Sequence, residues 1–242
     1  MNYNELLQGL KIDIYADGAN LPDMLEVKKQ GYVSGFTTNP TLMKKAGITD
    51  YMKFASDALK VVNNLPISFE VFTDDLDEMV EQAKILSSLG DNVFVKIPVM
   101  NTKGEMTYSV IKILDQMKIK LNVTAVFTVE QVKEILKSMS GDVPHIISVF
   151  AGRIADTGMD PLIIMKGSLN KIKNHSKQIK LLWASPREIF NLYQASDMGC
   201  DIITVTPSLL TKLKLRNKDL HEFSRETVLM FYNDSLESGF KI

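Results

Sequence analysis

The sequence contains little that would mark it as secreted, membrane-bound or nucleic-acid-binding. A single cysteine occurs among 242 residues, so no disulfide can form within the chain, and we expect Cys200 to be a small buried residue beside a strand in a protein of a reducing compartment. Lys and Arg number 28 against 29 Asp and Glu, without a dense basic cluster, which argues against a nucleic-acid partner. No signal-peptide pattern and no run of about 18 apolar residues occurs, so we expect a cytoplasmic protein that does not bind membranes.

Two further absences concern cofactors. The Gly-x-Gly-x-x-Gly and Walker A patterns, which bind nucleotide phosphates in open α/β sheets, are both missing. The three histidines, His145, His175 and His221, have no spacing typical of zinc ligands, which argues against a zinc-dependent enzyme. The first absence disfavours an open nucleotide-binding sheet and the second a zinc-dependent enzyme, and we expect no cofactor.

What the sequence does contain is a regular alternation of strand-like and helix-like segments. Eight apolar, β-rich segments predict strands at 11–16, 31–37, 66–72, 92–97, 120–126, 145–150, 180–184 and 200–205. Their spacing of about 20 to 35 residues suits one strand and one helix per unit, and their near-continuous apolar character favours a parallel sheet covered by helices. Such a sheet is either open or closed. Eight units in about 240 residues favour a closed (β/α)8 barrel, with residues 1–242 as one domain.

The segments between the predicted strands carry apolar residues mostly three and four positions apart. This helical periodicity is clearest at 73–89 and 128–139. Asp74 and Thr128 are the predicted N-caps of these two helices. Pro186 is predicted to lie in the first turn of a later helix, where a missing N–H is tolerated.

Lys96 is the most informative residue of the chain. It lies near the end of the apolar run 92–99, which contains the fourth predicted strand. A lone lysine there has an ordinary explanation, namely the exit of the strand into solvent. If the side chain is instead buried among β-branched and aromatic neighbours, loss of hydration favours a neutral amine, which attacks carbonyls to form a Schiff base. The residues that surround Lys96 in the fold therefore decide between the two interpretations.

Polar residues at the carboxyl ends of the other strands are candidate neighbours, because (β/α)8 barrels carry their reactive groups at this end. In chain order they are Asp17, Asn39, Glu70, Asn122, Thr124, Arg153, Ser185 and Arg187. Asp17 and Asn39 also fit turns, and Ser185 also fits a helix N-cap. Glu70 and Asn122, by contrast, lie within apolar strands and need polar partners if they point into the barrel.

These residues belong to motifs that resemble, in order and spacing, the signature segments of the transaldolase family. The resemblance spans residues 11 to about 206, where Asp17 is followed by the segments 37–41, 95–98, 121–125, 148–154 and 184–187. The family comprises transaldolases and the shorter fructose-6-phosphate aldolases, which are Schiff-base enzymes on an α/β barrel with the lysine on the fourth strand. Lys96 lies on the fourth predicted strand, as the resemblance requires.

The resemblance implies a mechanism for the catalytic candidates. Lys96 would attack the ketone of a sugar phosphate and form an iminium, which accepts the electrons left when the bond between C3 and C4 breaks. Asp17 would take the hydroxyl proton that drives this cleavage. Glu70 and Thr124 would hold a water that carries protons during iminium formation.

The remaining candidates are implied to bind substrate. Asn39 and Asn122 would hydrogen-bond the substrate hydroxyls and the region of the lysine. Arg153, Ser185 and Arg187 would bind the phosphate, because guanidinium groups match phosphate oxygens in bidentate geometry. Sugar phosphates are therefore the implied small-molecule partners, and the implied mechanism requires no metal.

Two positions favour the transferase branch of the resemblance. Transaldolases pair Glu at the position of Glu70 with Phe at the position of Phe150, whereas fructose-6-phosphate aldolases have Gln and Tyr there. A transferase must hold the three-carbon enamine until an aldehyde arrives, and Phe150 has no phenol with which to protonate it. The expected reaction is the transfer of a dihydroxyacetone unit from sedoheptulose 7-phosphate or fructose 6-phosphate to an aldose phosphate.

Three alternatives stay open. The chain could release dihydroxyacetone as an aldolase, act on another sugar, or bind a sugar phosphate without catalysis. The short chain, Gly18 and Ala19 after Asp17, and Met100 with Asn101 after the lysine strand depart from the family pattern, and these departures concern the substrate more than the reaction. A pure phosphate binder would need the arginines but not Lys96, so an enzyme is favoured.

The end of the chain predicts a final amphipathic helix over about 216–235, where apolar residues alternate with charged ones. This helix would cap the site, pack on a second subunit or cover the barrel as a solvated helix. Homo-oligomers are usual in the family, so the resemblance implies a second copy of the chain as a partner.

Overall fold

The computed structural model describes residues 7–241, and eight parallel strands form a closed barrel in sequence order. The strands are β1 Asp13–Asp17, β2 Gly35–Thr37, β3 Ile67–Glu70, β4 Val93–Pro98, β5 Leu121–Val126, β6 His145–Val149, β7 Ile179–Trp183 and β8 Ile202–Val205. β1 pairs with both β2 and β8, which closes the barrel. The prediction of a closed (β/α)8 barrel is therefore confirmed. β2 is shorter than predicted because Gly31, at a φ of 74°, follows the end of the preceding helix and begins the turn to the strand.

Helices surround the barrel and join its strands. They are α1 Leu21–Lys29, α2 Pro40–Lys45, α3 Tyr51–Val62, α4 Leu76–Ser87, α5 Tyr108–Gln116, α6 Val129–Lys137, α7 Ala151–Asp156, α8 Pro161–His175, α9 Phe190–Asp197, α10 Pro207–Leu210 and α11 Leu220–Glu237. A 3₁₀ turn, Thr211–Leu215, follows α10. Within residues 7–241, none of the helices is long and apolar enough to cross a membrane.

One of the two predicted N-caps is correct. Thr128 caps α6, and its hydroxyl and the Gln131 side chain form a reciprocal capping box. Asp74 does not cap α4, because its neighbour Asp75 does so by accepting a hydrogen bond from a first-turn amide. Asp74 instead accepts hydrogen bonds from the amide and the hydroxyl of Thr102, in the loop after β4. The sequence alone did not show which of the two adjacent aspartates caps the helix and which contacts the loop.

The prediction that Pro186 lies in a first helical turn is wrong, since α9 begins at Phe190. Ser185 has a φ of 60°, in the left-handed region. The side chain of Asn191, inside α9, accepts a hydrogen bond from the Arg187 amide at 2.8 Å. This contact holds the loop outside the helix, so Ser185 is not a helix N-cap.

The final helix is present, as predicted, although it begins at Leu220 rather than near 216. Asp219 sets this start, because its side chain accepts a hydrogen bond from the Glu222 amide at 2.9 Å. Cys200 is also placed as predicted, buried immediately before β8. Its thiol contacts the carbonyl oxygen of Leu181, and burial raises the pKa of the thiol to about 12.

An apolar layer of side chains lies inside the barrel. It consists of Tyr15, Ile146, Leu182 and Ile202, together with Ala184 at the edge of the cavity. Gly35 belongs to this layer, because a Cβ there would lie 2.5 Å from the Tyr15 ring. Side chains of a strand return to the same face every two residues, so Asp17 lies above Tyr15. The apolar layer therefore forms a floor beneath the polar groups at the carboxyl ends of the strands.

Candidate active site

A single cavity of about 410 Å³ collects the polar groups at the carboxyl ends of the strands. All ten residues proposed from the sequence line it: Asp17, Asn39, Glu70, Lys96, Asn122, Thr124, Phe150, Arg153, Ser185 and Arg187. Further polar side chains that the sequence analysis did not select also line it: Thr37, Ser148, Thr204 and Thr206. The barrel thus brings residues from all eight strand ends to one concave site.

Lys96 lies at the centre of this cavity and is only 6% exposed. Its Nζ donates to Glu70 Oε2 at 2.9 Å and to the carbonyl oxygen of Thr38 at 2.8 Å. β3 and β4 place the two side chains next to each other, since Glu70 is the register partner of Lys96. The two side chains form a buried ion pair, and removal of one partner from such a pair is costly. Glu70 is the group in contact that can take the proton when the amine reacts.

The backbone of Glu70 is fixed by Tyr51 of α3. The Tyr51 hydroxyl accepts from the Glu70 amide and donates to the Glu70 carbonyl oxygen, each at 2.9 Å. Burial raises the pKa of Tyr51, so the hydroxyl keeps the proton that this contact needs. Tyr51 was not predicted, because nothing in the local sequence relates a helix tyrosine to a strand end 19 residues later.

Asp17 lies at the end of β1, beside the Lys96 and Glu70 pair. Its Oδ1 accepts a hydrogen bond from the Thr37 hydroxyl at 2.9 Å. Burial raises the pKa of Asp17, while the charge of Lys96 and hydrogen bonds from Thr37 and Asn39 oppose this rise. A carboxylate whose pKa is raised is a stronger base, so Asp17 is suited to take a proton from a hydroxyl and return it.

Asn39 lines the cavity and is also the N-cap of α2. Its Oδ1 accepts a hydrogen bond from the Leu42 amide at 3.0 Å and caps α2. This contact leaves the Nδ2 hydrogens for Asp17 and for a bound molecule. Asn39 therefore begins a helix and lines the cavity at the same time, so its structural role does not exclude a role in the site.

Asn122 is fully buried, and both ends of its amide are bonded. Its Nδ2 donates to Ser68 Oγ at 3.0 Å, and its Oδ1 accepts from Ser148 Oγ at 2.6 Å. The two serines come from the strands on either side of the β4–β5 pair, and they hold the amide between them. Ser148 lies inside the motif segment 148–154, and Ser68 lies two residues before Glu70 on the same face, so both signals were present in the sequence.

β5 bends where it reaches the cavity. Its register with β6 shifts between Val123 and Val126, and Ala125 has a φ of 57°. An alanine in the left-handed region costs about 1 kcal/mol, and this bulge leaves Thr124 facing the cavity. Ser185, which also lines the cavity, is the second residue there with a positive φ. Two of the five non-glycine residues with a positive φ in the described part of the chain therefore line the cavity.

Two arginines form one side of the rim, and both are exposed. The Arg153 guanidinium lies 5.4 Å from the centre of the Phe150 ring. The Arg187 guanidinium forms a bidentate ion pair with Asp156, with Nε at 3.0 Å from Oδ1. A bound anion would compete with Asp156 for Arg187.

Gly152 sets the distance between the loops that carry these arginines. A Cβ at this position would collide with the carbonyl oxygen of Ser185. Only glycine therefore allows the start of α7 to pack directly on the loop after β7. This packing brings Arg153 and Ser185 to the same side of the cavity.

No group of three or more His, Cys, Asp or Glu side chains within residues 7–241 is arranged to hold a metal ion. The chemistry that the arrangement offers is that of an amine, two carboxylates and two guanidinium groups. It can form a covalent adduct with a carbonyl, move protons beside that adduct and bind an anion at the rim.

Comparison with known proteins identifies a family model that matches residues 14–240, described as transaldolase/fructose-6-phosphate aldolase. Among curated proteins, a probable transaldolase of Thermoanaerobacter sp. (strain X514) is 30% identical over 228 residues, covering 94% of this chain and 99% of that one. Probable transaldolase 2 of Listeria monocytogenes is 33% identical, with coverage of 88% and 94%. A probable transaldolase of Thermoplasma volcanium is 35% identical, with coverage of 83% and 86%.

Solved structures resemble the chain in fold alone. A putative phosphonomutase from Burkholderia cenocepacia has a TM-score of 0.59 at 10% identity, covering 96% of this chain and 98% of that one. A putative dihydrodipicolinate synthase family protein from Coccidioides immitis has a TM-score of 0.56 at 11% identity, with coverage of 79% and 65%. At such low identity the likeness extends to the barrel and not to the chemistry.

Proposed function

This chain belongs to the transaldolase and fructose-6-phosphate aldolase family, and from that premise we propose that it is a transaldolase that uses Lys96 as a Schiff-base nucleophile. The donor is a ketose phosphate, sedoheptulose 7-phosphate or fructose 6-phosphate, and the acceptor is an aldose phosphate. The observation that carries the proposal is the buried contact between Lys96 Nζ and Glu70 Oε2 at 2.9 Å, at the centre of the cavity.

The first step is attack of the Lys96 amine on the ketone carbon. The ammonium passes a proton to Glu70, directly or through a water that Glu70 and Thr124 hold. The resulting carbinolamine loses its oxygen as water, for which the same groups return the proton, and an iminium forms. Thr38 supports this step, because its carbonyl oxygen accepts a second hydrogen bond from Nζ and helps to orient it.

The second step is cleavage of the bond between C3 and C4. Asp17 removes the proton of the C4 hydroxyl, and the electrons of the breaking bond enter the iminium, which becomes an enamine. The aldose phosphate leaves, and an acceptor aldehyde takes its place. Asp17 returns its proton when the new bond forms, so no proton is lost to solvent during the transfer.

Binding contacts fix the substrate along this path. Asn39 and Asn122 bind the hydroxyls of the three-carbon unit, and the serine contacts of Asn122 hold its side chain in place. Ser185, Arg153 and Arg187 bind the phosphate at the rim. Arg187 then exchanges its ion pair with Asp156 for the phosphate, which gives the rim a bidentate partner of higher charge.

Phe150 supports a transferase rather than an aldolase that releases dihydroxyacetone. Its ring lies against Arg153 and 5.8 Å from the Phe127 ring, so this side of the cavity offers no phenolic proton to the enamine. The second candidate function, release of free dihydroxyacetone, needs a proton donor at this position. Lys96 in the core disfavours a barrel that binds a phosphate without catalysis, because a buried lysine is costly and phosphate binding at the rim does not use it.

The proposal extends to compartment and assembly. A buried lone cysteine fits a reducing compartment, and we place the protein in the cytoplasm. The described chain leaves α11 without a single buried side chain, although the helix carries Phe223, Phe231 and Tyr232. A helix with this much exposed apolar surface supports a homo-oligomer in which α11 packs on a second copy. Sedimentation of the chain with and without residues 220–242 measures this.

Trapping the Schiff base tests the proposed chemistry. The protein is incubated with fructose 6-phosphate or sedoheptulose 7-phosphate in the presence of borohydride, and its intact mass and peptide map are measured. The expected result is one reduced adduct, located on Lys96. No adduct with either donor would reject these substrates, and an adduct on another lysine would reject Lys96 as the nucleophile.

A further inference from the structure

We propose that Thr204 is a positioning residue that acts on Asp17 through the hydroxyl of Thr37. Asp17 ends β1, Thr37 ends β2, and Thr204 lies on β8, so the three residues occupy three adjacent strands with Asp17 in the middle. The inference rests on the proposed role of Asp17 in proton transfer. It adds two hydroxyl groups that line the cavity and act on the reaction through Asp17.

The hydrogen bonds connect the three side chains in one direction. The Thr37 hydroxyl donates to Asp17 Oδ1 at 2.9 Å, and Thr37 and Thr204 are hydrogen-bonded through their Oγ1 atoms. An ionised Asp17 can only accept hydrogen bonds, and a threonine hydroxyl has only one proton. Because Thr37 gives its proton to Asp17, Thr204 must donate to Thr37.

This direction gives Thr204 an effect on a carboxylate that it does not touch. A hydroxyl that accepts a hydrogen bond is a stronger donor, so the bond from Thr204 strengthens the bond from Thr37 to Asp17. Both threonines are nearly buried, with exposures of 3% for Thr37 and 5% for Thr204, so water competes little for these contacts. We call the hydrogen bonds from Thr204 to Thr37 and from Thr37 to Asp17 the relay. The relay holds the Asp17 carboxylate in one orientation and favours its ionised form, which the cleavage step consumes.

Packing alone does not explain the two threonines. Valine has the same branched shape as threonine and would avoid the cost of burying a hydroxyl. In a barrel interior whose lower layer is apolar, valine at either position would fill the same space. The hydrogen bonds give the two hydroxyls a role toward Asp17, which is the charged group of this network.

The relay predicts a specific pattern in a set of four variants: Thr37→Val, Thr204→Val, the double variant and Thr37→Ser. We expect Thr37→Val to lower kcat by about tenfold, because it removes a hydrogen bond to a charged group, and Thr204→Val to lower it by about threefold. The double variant should equal Thr37→Val, since Thr204 acts only through Thr37. Thr37→Ser should restore most of the activity.

The pH dependence separates this role from a structural one. With Thr37 or Thr204 replaced by Val, Asp17 is harder to ionise, so the acid limb of the kcat profile should move to higher pH. A loss of packing would lower kcat at every pH without moving the limb. An effect of Thr204→Val that adds in full to that of Thr37→Val, or an unmoved acid limb, would overturn the inference.

A measurement without turnover distinguishes a failure of the relay from a failure of the proposed function. The ¹³C resonance of the Asp17 carboxyl, identified by its loss in Asp17→Asn, is titrated in the wild type and in both Val variants. The relay requires a higher pKa of Asp17 in Thr204→Val and a still higher one in Thr37→Val. If wild-type protein turns over no ketose phosphate but the titrations move in this order, the proposed function fails and the relay stands. Titrations that coincide with the wild type refute the relay.

Discussion

The barrel buries an ionisable pair at each of its two ends, and the two pairs are used differently. At the amino end, His145 and Asp115 are joined at 2.9 Å between Nε2 and Oδ1. The His145 Nδ1 accepts from the Leu121 amide at 3.1 Å, and Asp115 Oδ2 accepts from the Ser140 amide at 2.9 Å. At the carboxyl end, Lys96 and Glu70 form a pair of the same length.

The difference lies in what surrounds each pair. The His145 side chain is 0% exposed and the Asp115 side chain 5%, and both ring nitrogens and both carboxylate oxygens are engaged by the protein. The Lys96 and Glu70 side chains face the cavity and keep donor and acceptor capacity in reserve. A buried pair with every partner supplied stabilises a fold, whereas one with partners left open can do chemistry on a ligand.

Lys96→Met is the most direct test of the difference between the two pairs. We expect kcat to fall by on the order of 1,000-fold or more, because the covalent step is lost. The fold should be retained, as measured by circular dichroism and thermal unfolding. Methionine leaves Glu70 as a buried carboxylate without its cation. The double variant Lys96→Met with Glu70→Gln should therefore be more stable than Lys96→Met alone. Turnover by Lys96→Met at the wild-type rate would show that the carboxyl-end pair is structural as well.

The opposite variant at the amino end is Asp115→Ala. It leaves His145 and the Ser140 amide without their acceptor, so we expect the free energy of unfolding to fall by about 2 to 4 kcal/mol with kcat unchanged. Denaturant titration measures the first quantity and a transfer assay the second. Asp57→Ala is a matched control, since Asp57 pairs with Lys53 and Lys60 at the surface of the protein and its replacement should lower the free energy of unfolding much less. Equal losses in the two variants would contradict the stabilising role.

The pH dependence of stability is a second test of the amino-end pair. Burial lowers the pKa of His145, although Asp115 opposes this, so the unfolded chain binds a proton that the folded protein excludes. Stability from this group is complete above about pH 6.5 and is lost as the pH falls below it, by at most about 1.4 kcal/mol per pH unit. Denaturant midpoints between pH 8 and pH 5 measure the slope.

His145→Gln should remove that slope. Glutamine can still donate to Asp115, but it does not titrate. His221→Gln, on the exposed surface of α11, should keep the slope and is the control. Identical slopes in all three proteins would assign the acid sensitivity to another group.

The smallest effect is expected for Phe150, which lines the cavity. Phe150→Tyr places a phenol beside the proposed enamine, so we expect release of free dihydroxyacetone to rise several-fold relative to transfer, with little change in stability. Product analysis with and without an acceptor aldehyde measures the partition. An unchanged ratio would remove the reason for choosing a transferase over an aldolase.

The sequence predicted those parts of the molecule that depend on local patterns. Alternating apolar segments placed all eight strands, and counting them placed Lys96 on β4. The partner groups depend on strands far apart in the chain and were missed. Thr37 and Thr204 are 167 residues apart and meet only because β8 closes on β1. The sequence around His145 likewise did not indicate its partner, Asp115, which lies on the helix before β5.

Local errors came from choices that depend on tertiary contacts. Asp74 and Asp75 are equally good caps by composition, and a contact with Thr102 decided between them. Ser185 has the composition of an N-cap, but Gly152 brings another loop against its carbonyl group and the chain turns away from a helix.

That close approach at Gly152 constrains how the protein can evolve. The start of α7, which carries Arg153, and the loop that carries Ser185 touch through a space with no room for one methyl group. A change of backbone in either segment must be matched in the other, so the side of the cavity that we propose to bind phosphate has to change as a unit.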